Sequence, residues 1–118
     1  MNTDLPNEFG LKPRDMNTIH GILDKYPEII LVNIFGSRAK GTFKFGSDVD
    51  LAIINPGVDK EILRKIIEDF EESNLPFRVD IISTGSLIQS ELNLQIKKFG
   101  IPFYNKDRSQ KIQAIHSK

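Results

Sequence analysis

GSRAKGTFKFGSDVDLAI, Gly36 to Ile53, decides the architecture. It follows IILVNIF, Ile29 to Phe35, a short run rich in β-branched residues that reads as a buried strand. It ends in a second such run, DVDLAII, Asp48 to Ile54. Only Gly36 to Ser47 lie between the two. A crossover between parallel strands takes about a dozen residues or more, usually a full helix. Ser37 to Lys40 leaves room for one helical turn closed by Gly41, so these two strands are expected to run antiparallel. The stretch also contains a near miss. Gly36 and Gly41 have the spacing of a phosphate-binding P-loop, but Thr42 stands where the lysine belongs.

Outward from this centre, the flanks alternate helix and strand. Pro13 suits a first helical turn, Met16, Ile19, Leu23 and Tyr26 recur at helical spacing, and Pro27 ends the run. After Asn55-Pro56-Gly57, Asp59 can cap a helix whose apolar face is Ile62, Leu63, Ile66, Ile67 and Phe70, with Glu61 and Lys65 as an i, i+4 pair. FRVDIIS, Phe77 to Ser83, reads as a third strand. Ser86 and Gln89 form a capping box for a further helix carrying Ile88, Leu92, Ile96 and Phe99, with Lys97 and Lys98 in its last turn and Gly100 as its C-cap. IPFY, Ile101 to Tyr104, reads as a short edge strand. The resulting expectation is an α/β (α+β) domain over residues 1–104. It has a small mixed sheet with helices mainly on one face, and a polar tail at 105–118.

Composition narrows the classes of function. The chain has 118 residues, 39% hydrophobic and 27% charged, which suits one compact domain with its own core. Lys+Arg and Asp+Glu are both 16, so the basic surplus of a duplex binder is missing and nucleic acid is not the expected partner. There is no cysteine, hence no disulfide and no thiolate metal site, which fits a reducing cytoplasm. No apolar run approaches the roughly 18 residues of a membrane span, and the N-terminus lacks the pattern of a signal peptide.

The acidic residues carry the chemistry. Side chains alternate along a strand, so Asp48, Asp50 and Ala52 share one face, while Val49, Leu51 and Ile53 share the other. In the third strand Phe77, Val79 and Ile81 form the apolar set, and Arg78, Asp80 and Ile82 point the other way. If both apolar sets face the helices, Asp48, Asp50 and Asp80 converge on the opposite face. Alternate residues lie roughly 6.5 to 7 Å apart along a strand, a span over which two carboxylates can bracket a hard cation. Without a cation such a group repels itself and raises its own pKa values; oxygen-only ligands favour Mg²⁺ or Mn²⁺. A lone Asp-x-Asp at a strand start also serves as a simple turn cap. An EF-hand is excluded, because Leu51-Ala52-Ile53 supplies neither the third ligand nor the glycine. Upstream, the Gly36-Ser37 turn can present backbone N–H groups and a hydroxyl to phosphate, with Arg38, Lys40 and Lys44 nearby. An ordinary turn with solvated charges is the alternative.

The conjunction of these parts is more specific than any one of them. Gly36-Ser37, ten residues, Asp48-x-Asp50 and a third Asp in a later apolar strand resemble the nucleotidyltransferase signature of the DNA polymerase β superfamily. GSRAKG with SDVDLAI is most similar to the minimal nucleotidyltransferase (MNT) family, and LPFRVDII resembles the segment carrying its third carboxylate. The resemblance spans roughly Ile29 to Tyr104 by order of elements. It implies that Gly36 and Ser37 hold the phosphates of an NTP such as ATP, with Arg38 steadying their charge. It further implies that Asp48 and Asp50 ligate Mg²⁺ (or Mn²⁺), and that Asp80 shares the metal and activates the attacking hydroxyl. It also implies transfer of AMP to a tyrosine of a separate helical HEPN-type toxin partner, for which the chain would be the antitoxin. Phe43 and Phe45, before the aspartates, are candidate partner or base contacts, or pack beneath their own loop. His20 and His116 are assigned no catalytic role. A non-catalytic module that neutralises a partner by contact, and nucleotidyl transfer to a small molecule, are the competing readings. A homo-oligomer through the IPFY edge stays open.

Overall fold

Pro13 opens the first helix of a computed structural model that describes residues 5–84 and 100–106. This helix, α1 (Pro13–Asp24), starts where the Asp15 carboxylate accepts a hydrogen bond from the Lys12 amide, 3.0 Å away. It buries Ile19 and Leu23, and it stops before Pro27 removes a backbone donor. Strand β1 (Leu31–Phe35) alternates, with Val32 and Ile34 buried. Directly after it comes the five-residue helix α2 (Gly36–Lys40), closed by Gly41 in the left-handed region at φ 80°. Strand β2 (Val49–Ile53) returns antiparallel to β1, pairing Phe35 with Asp50 and Ile34 with Leu51. The short connection therefore produces the antiparallel pair expected of it. Asn55 stops the strand by plugging its end: its side-chain oxygen accepts from the Ile30 and Leu31 amides, and its amide donates to the Glu28 carbonyl.

Helix α3 (Lys60–Glu71) begins with the Asp59 carboxylate accepting from the Ile62 amide at 2.9 Å. It is the crossover that lets β3 (Val79–Ser83) run parallel to β2, with Val49 opposite Val79, Asp50 opposite Asp80 and Leu51 opposite Ile81. The edge strand β4 (Ile101–Asn105) pairs antiparallel with β1, giving the order β3-β2-β1-β4. Pro102, which has no N–H to donate, is tolerated on this outer strand, where the register slips opposite Val32 and Asn33. One cluster forms the core: Ile19 and Leu23 of α1, Ile66 and Phe70 of α3, and the inward residues Val32, Ile34, Val49, Leu51, Ile53 and Ile81 of the sheet. This is the small mixed α/β sheet with helices on one face that the sequence pattern predicts.

Three expectations change. Ile67 is 37% exposed, because α3 buries the narrower stripe of Ile66 and Phe70, with Ile62 and Leu63 partly covered. Glu61 pairs with Arg64, which also reaches Glu68, instead of with Lys65; a planar guanidinium can serve two carboxylates at once. The tail does not start at 105: Asn105 ends β4, and Lys106 is buried with its ammonium donating to the Tyr26 carbonyl. The expected helix from Ser86 to Phe99 and the remainder of the tail, 107–118, lie outside the described residues.

Candidate active site

The pleat and the β2–β3 register bring the carboxylates together. Asp50 and Asp80 are direct partners on adjacent parallel strands, which lie about 4.8 Å apart. Asp48 sits in the loop just ahead of β2 and is exposed; the Val49 amide beside it donates to the Arg78 carbonyl at 2.9 Å. Asp50 is half-buried, and its pKa is raised above the ordinary carboxylate range. Burial is the main cause, with the negative charges of Asp80 and then Asp48 adding to it. Asp50 thus feels the charge of both other carboxylates.

Gly36 joins this cluster from the neighbouring strand end. Its φ of 75° lies in the region that favours glycine, and a Cβ there would overlap the Asp50 carboxylate, with Cγ only 3.1 Å away. The turn residue and the central carboxylate therefore pack backbone against side chain. Ser37 follows in the first turn of α2, its carbonyl accepting from the Thr42 amide.

Arg38 is placed differently from its neighbours. It is 3% exposed and pointed inward. Its Nε and Nη2 donate to the Ser47 carbonyl at 3.1 and 2.7 Å, and its Nη1 donates to the Phe9 carbonyl at 2.8 Å and, more weakly, to that of Gly10 at 3.4 Å. The guanidinium lies between the rings of Phe43 and Phe77, 5.2 and 4.9 Å from their centroids. Burial lowers its pKa, and the nearby Asp15 and Asp48 offset part of that shift. Arg38 thus tethers the 42–47 loop to the N-terminal lead-in, with its donors on backbone carbonyls. Phe43 packs beneath its loop on this cation, whereas Phe45 is fully exposed.

Arg78 is a residue that sequence reasoning placed on the carboxylate face but gave no role. Its Nε meets the Asp80 carboxylate at 3.0 Å, and its side chain is 77% exposed. Such an exposed pair contributes about 0–1 kcal/mol and exchanges readily. His20 lies away from this cluster, edge-on to Phe103 and Tyr104, with burial lowering its pKa. His116 falls outside the described residues.

The donor set suits a hard divalent cation: it is all oxygen, and its mutual repulsion is what a cation would relieve. The cage is open, however. Among the described residues no three carboxylate or imidazole side chains close around one point, so Asp48 and Asp80 would have to turn inward to complete it.

Residues 17–109 match the family described as polymerase beta, nucleotidyltransferase. The chain is 37% identical over 76 residues to a Haemophilus influenzae protein named "Probable protein adenylyltransferase MntA", covering 64% of this chain and 67% of that one. Among solved structures it is similar to a toxin–antitoxin crystal structure with AMP-PNP, with a TM-score of 0.63 and 24% identity over 86% of this chain and 82% of the other. It is also similar to a chain of the complex between a tri-AMPylated Shewanella oneidensis HEPN toxin and an MNT antitoxin, with a TM-score of 0.52 and 21% identity over 86% and 78%. At these identities the two structural likenesses establish a shared fold.

Proposed function

The chain belongs to the polymerase β nucleotidyltransferase family, and from that premise we propose that it transfers AMP from ATP to a tyrosine hydroxyl of a HEPN-type partner protein. The observation that carries this reading is the packing of the Gly36 backbone against Asp50, with Asp80 in register beside it. Phosphate-holding turn and charge-handling carboxylates thereby become a single site. A cofactor-binding role for Gly36 and Ser37 puts the triphosphate at the open end of β1. A divalent cation held by Asp48, Asp50 and Asp80, Mg²⁺ by their oxygen-only chemistry, would neutralise the phosphates. The acceptor oxygen forms a bond to the α-phosphorus, the bond to the β-phosphate oxygen breaks, and pyrophosphate leaves. The hydroxyl proton passes to Asp80, the carboxylate in register beside Asp50. Catalysis of this type rests mainly on positioning and charge neutralisation. In this proposal Arg38 acts through the loop that ends at Asp48, because its donors are already occupied.

The open cage favours one competing reading, a module that neutralises its partner by contact alone. Incubation with α-³²P-ATP, Mg²⁺ and the cognate HEPN-type protein separates the two. Transfer of label to the partner, lost in Asp48→Asn with the fold intact, is expected. Neutralisation of the partner without label, surviving in an Asp48→Asn, Asp50→Asn double variant, would replace the enzyme with the binding module.

A further inference from the structure

A concave surface lies beside the loop that leads to Asp48 and has no part in the chemistry above. Its volume is about 370 Å³, and its walls are mostly apolar: Phe43, Phe45 and Phe77, with Pro6 and Pro76. Phe45 is fully exposed and is continuous with the apolar walls of Phe43, Phe77, Pro6 and Pro76, and it is such a contiguous patch, not a single exposed residue, that marks an interaction surface. Lys12, Arg14 and Lys44 also line it, and among the described residues none of the three takes part in an ion pair. The remaining charges in the lining, Arg38 and Asp15, offset each other. The cleft therefore carries a local positive excess in a chain whose net charge is zero.

Its position gives it meaning. The segment Phe43 to Gly46 forms one wall and leads through Ser47 into Asp48, and three residues of extended chain span no more than about 10 Å. The backbone of Phe45 therefore lies within that reach of the backbone of Asp48. The wall is also firm: the Ser47 hydroxyl accepts from the Lys44 amide at 2.9 Å, and Arg38 grips the Ser47 carbonyl.

We propose that this cleft is the docking surface for the acceptor protein, and that it takes an acidic segment bearing an aromatic or apolar anchor. The anchor sits against Phe45, Phe43 and Phe77, and the acidic residues face Lys12, Arg14 and Lys44. Charge complementarity selects this occupant. The walls are too apolar and the cations too few for a phosphate backbone to be the better fit. The proposal rests on the transferase reading for the identity of the occupant as acceptor.

A synthetic Glu-Tyr copolymer is a suitable probe, since it supplies acidic charge, aromatic anchors and acceptor hydroxyls together. Binding is followed by fluorescence anisotropy of the labelled copolymer at low salt, with the full chain. Wild type is expected to bind it, with Phe45→Ala and Lys44→Glu each weakening binding about tenfold and Asp48→Asn not weakening it. Both test residues are exposed, so neither change threatens the fold; circular dichroism checks this. Equal binding of a Lys-Tyr copolymer, equal competition by oligo(dT) or by anionic lipid vesicles, or variants that bind like wild type would overturn the proposal. Binding with the expected mutational pattern but no AMP transfer to the copolymer or to the HEPN-type protein would uphold the surface and strike the transferase reading instead.

Discussion

Replacing Arg38 with methionine keeps an unbranched, flexible stem, shorter than that of arginine, and removes every donor. The Phe9 and Ser47 carbonyls then lose their partners, and a polar group left unsatisfied in the interior costs about 1–3 kcal/mol. The stacks on Phe43 and Phe77 lose their charge, at about 0.5–2 kcal/mol each, and the shorter methionine replaces only the stem of the side chain. Release of a guanidinium that burial already disfavours returns part of this. The net expectation is a loss of about 3–5 kcal/mol, from two unsatisfied carbonyls and two lost ring contacts less the desolvation recovered. Against a total stability of about 5–15 kcal/mol this is severe, and at roughly 4 °C per kcal/mol it lowers Tm by about 12–20 °C.

Arg38→Lys keeps the charge and can reach one carbonyl, so about half that shift is expected. Calorimetry gives the Tm values, and initial rates of AMP transfer, taken well below each Tm, give the kinetic effect. The Ser47 carbonyl precedes Asp48, so loosening it should lower kcat for Arg38→Lys and leave KM for ATP nearly unchanged. An arginine that held the triphosphate would behave in the opposite way. A Tm within about 2 °C of wild type for Arg38→Met, together with a tenfold rise in KM for ATP in Arg38→Lys, would refute the tether and restore a phosphate role.

Gly36→Ala should cost about 2–3 kcal/mol in urea unfolding and abolish transfer, because the left-handed φ disfavours any side chain and the new Cβ displaces the Asp50 carboxylate; unchanged stability and rate would refute the packing argument. Asp50→Asn should raise Tm at pH 7. The folded state raises the pKa of this carboxyl, so its charged form destabilises the fold above that raised value, and the penalty fades as pH falls toward the unfolded value of about 3.9. The advantage of the variant should therefore shrink on acidification, and Mg²⁺ should stabilise wild type more than the variant. A difference that does not vary with pH, or a Tm below that of wild type at pH 7, would show that repulsion at Asp50 is not what burial and its neighbours imply.

The parts of this molecule that could be read in advance are those whose causes are local. Pro13, Asp59, Gly41 and the alternation of Val49 and Leu51 with Asp50 act within a few residues, and each sits in the element expected of it. Alternation also places Arg78 and Asp80 on one face. It cannot say that Asp80 falls opposite Asp50 and not a residue away, since that register is set by how α3 docks Ile66 and Phe70 on the sheet. Arg38 was illegible for a stronger reason. Its partners are the carbonyls of Phe9 and Gly10, some 28 residues upstream, and of Ser47, and backbone carbonyls have no signature in a sequence. A Gly-Ser-Arg beside two aspartates suggests phosphate; only the fold reveals that the arginine turns away from them.

That turning away has a consequence for the charge of the site. With Arg38 committed to the loop, Arg78 is the cation described in contact with the carboxylate face, and it engages Asp80 through a single exposed contact. Asp50 keeps a raised pKa, from burial first and from the charges of Asp80 and Asp48 second. A carboxylate cluster that folded for stability alone would be expected to have a buried arginine on it, and this chain has one within electrostatic reach of Asp48 yet spends its donors elsewhere. Stability is traded for unspent negative charge at the open end of the sheet. Such a site gains most when positive charge arrives from outside, which is the condition that metal-assisted transfer from a nucleoside triphosphate requires.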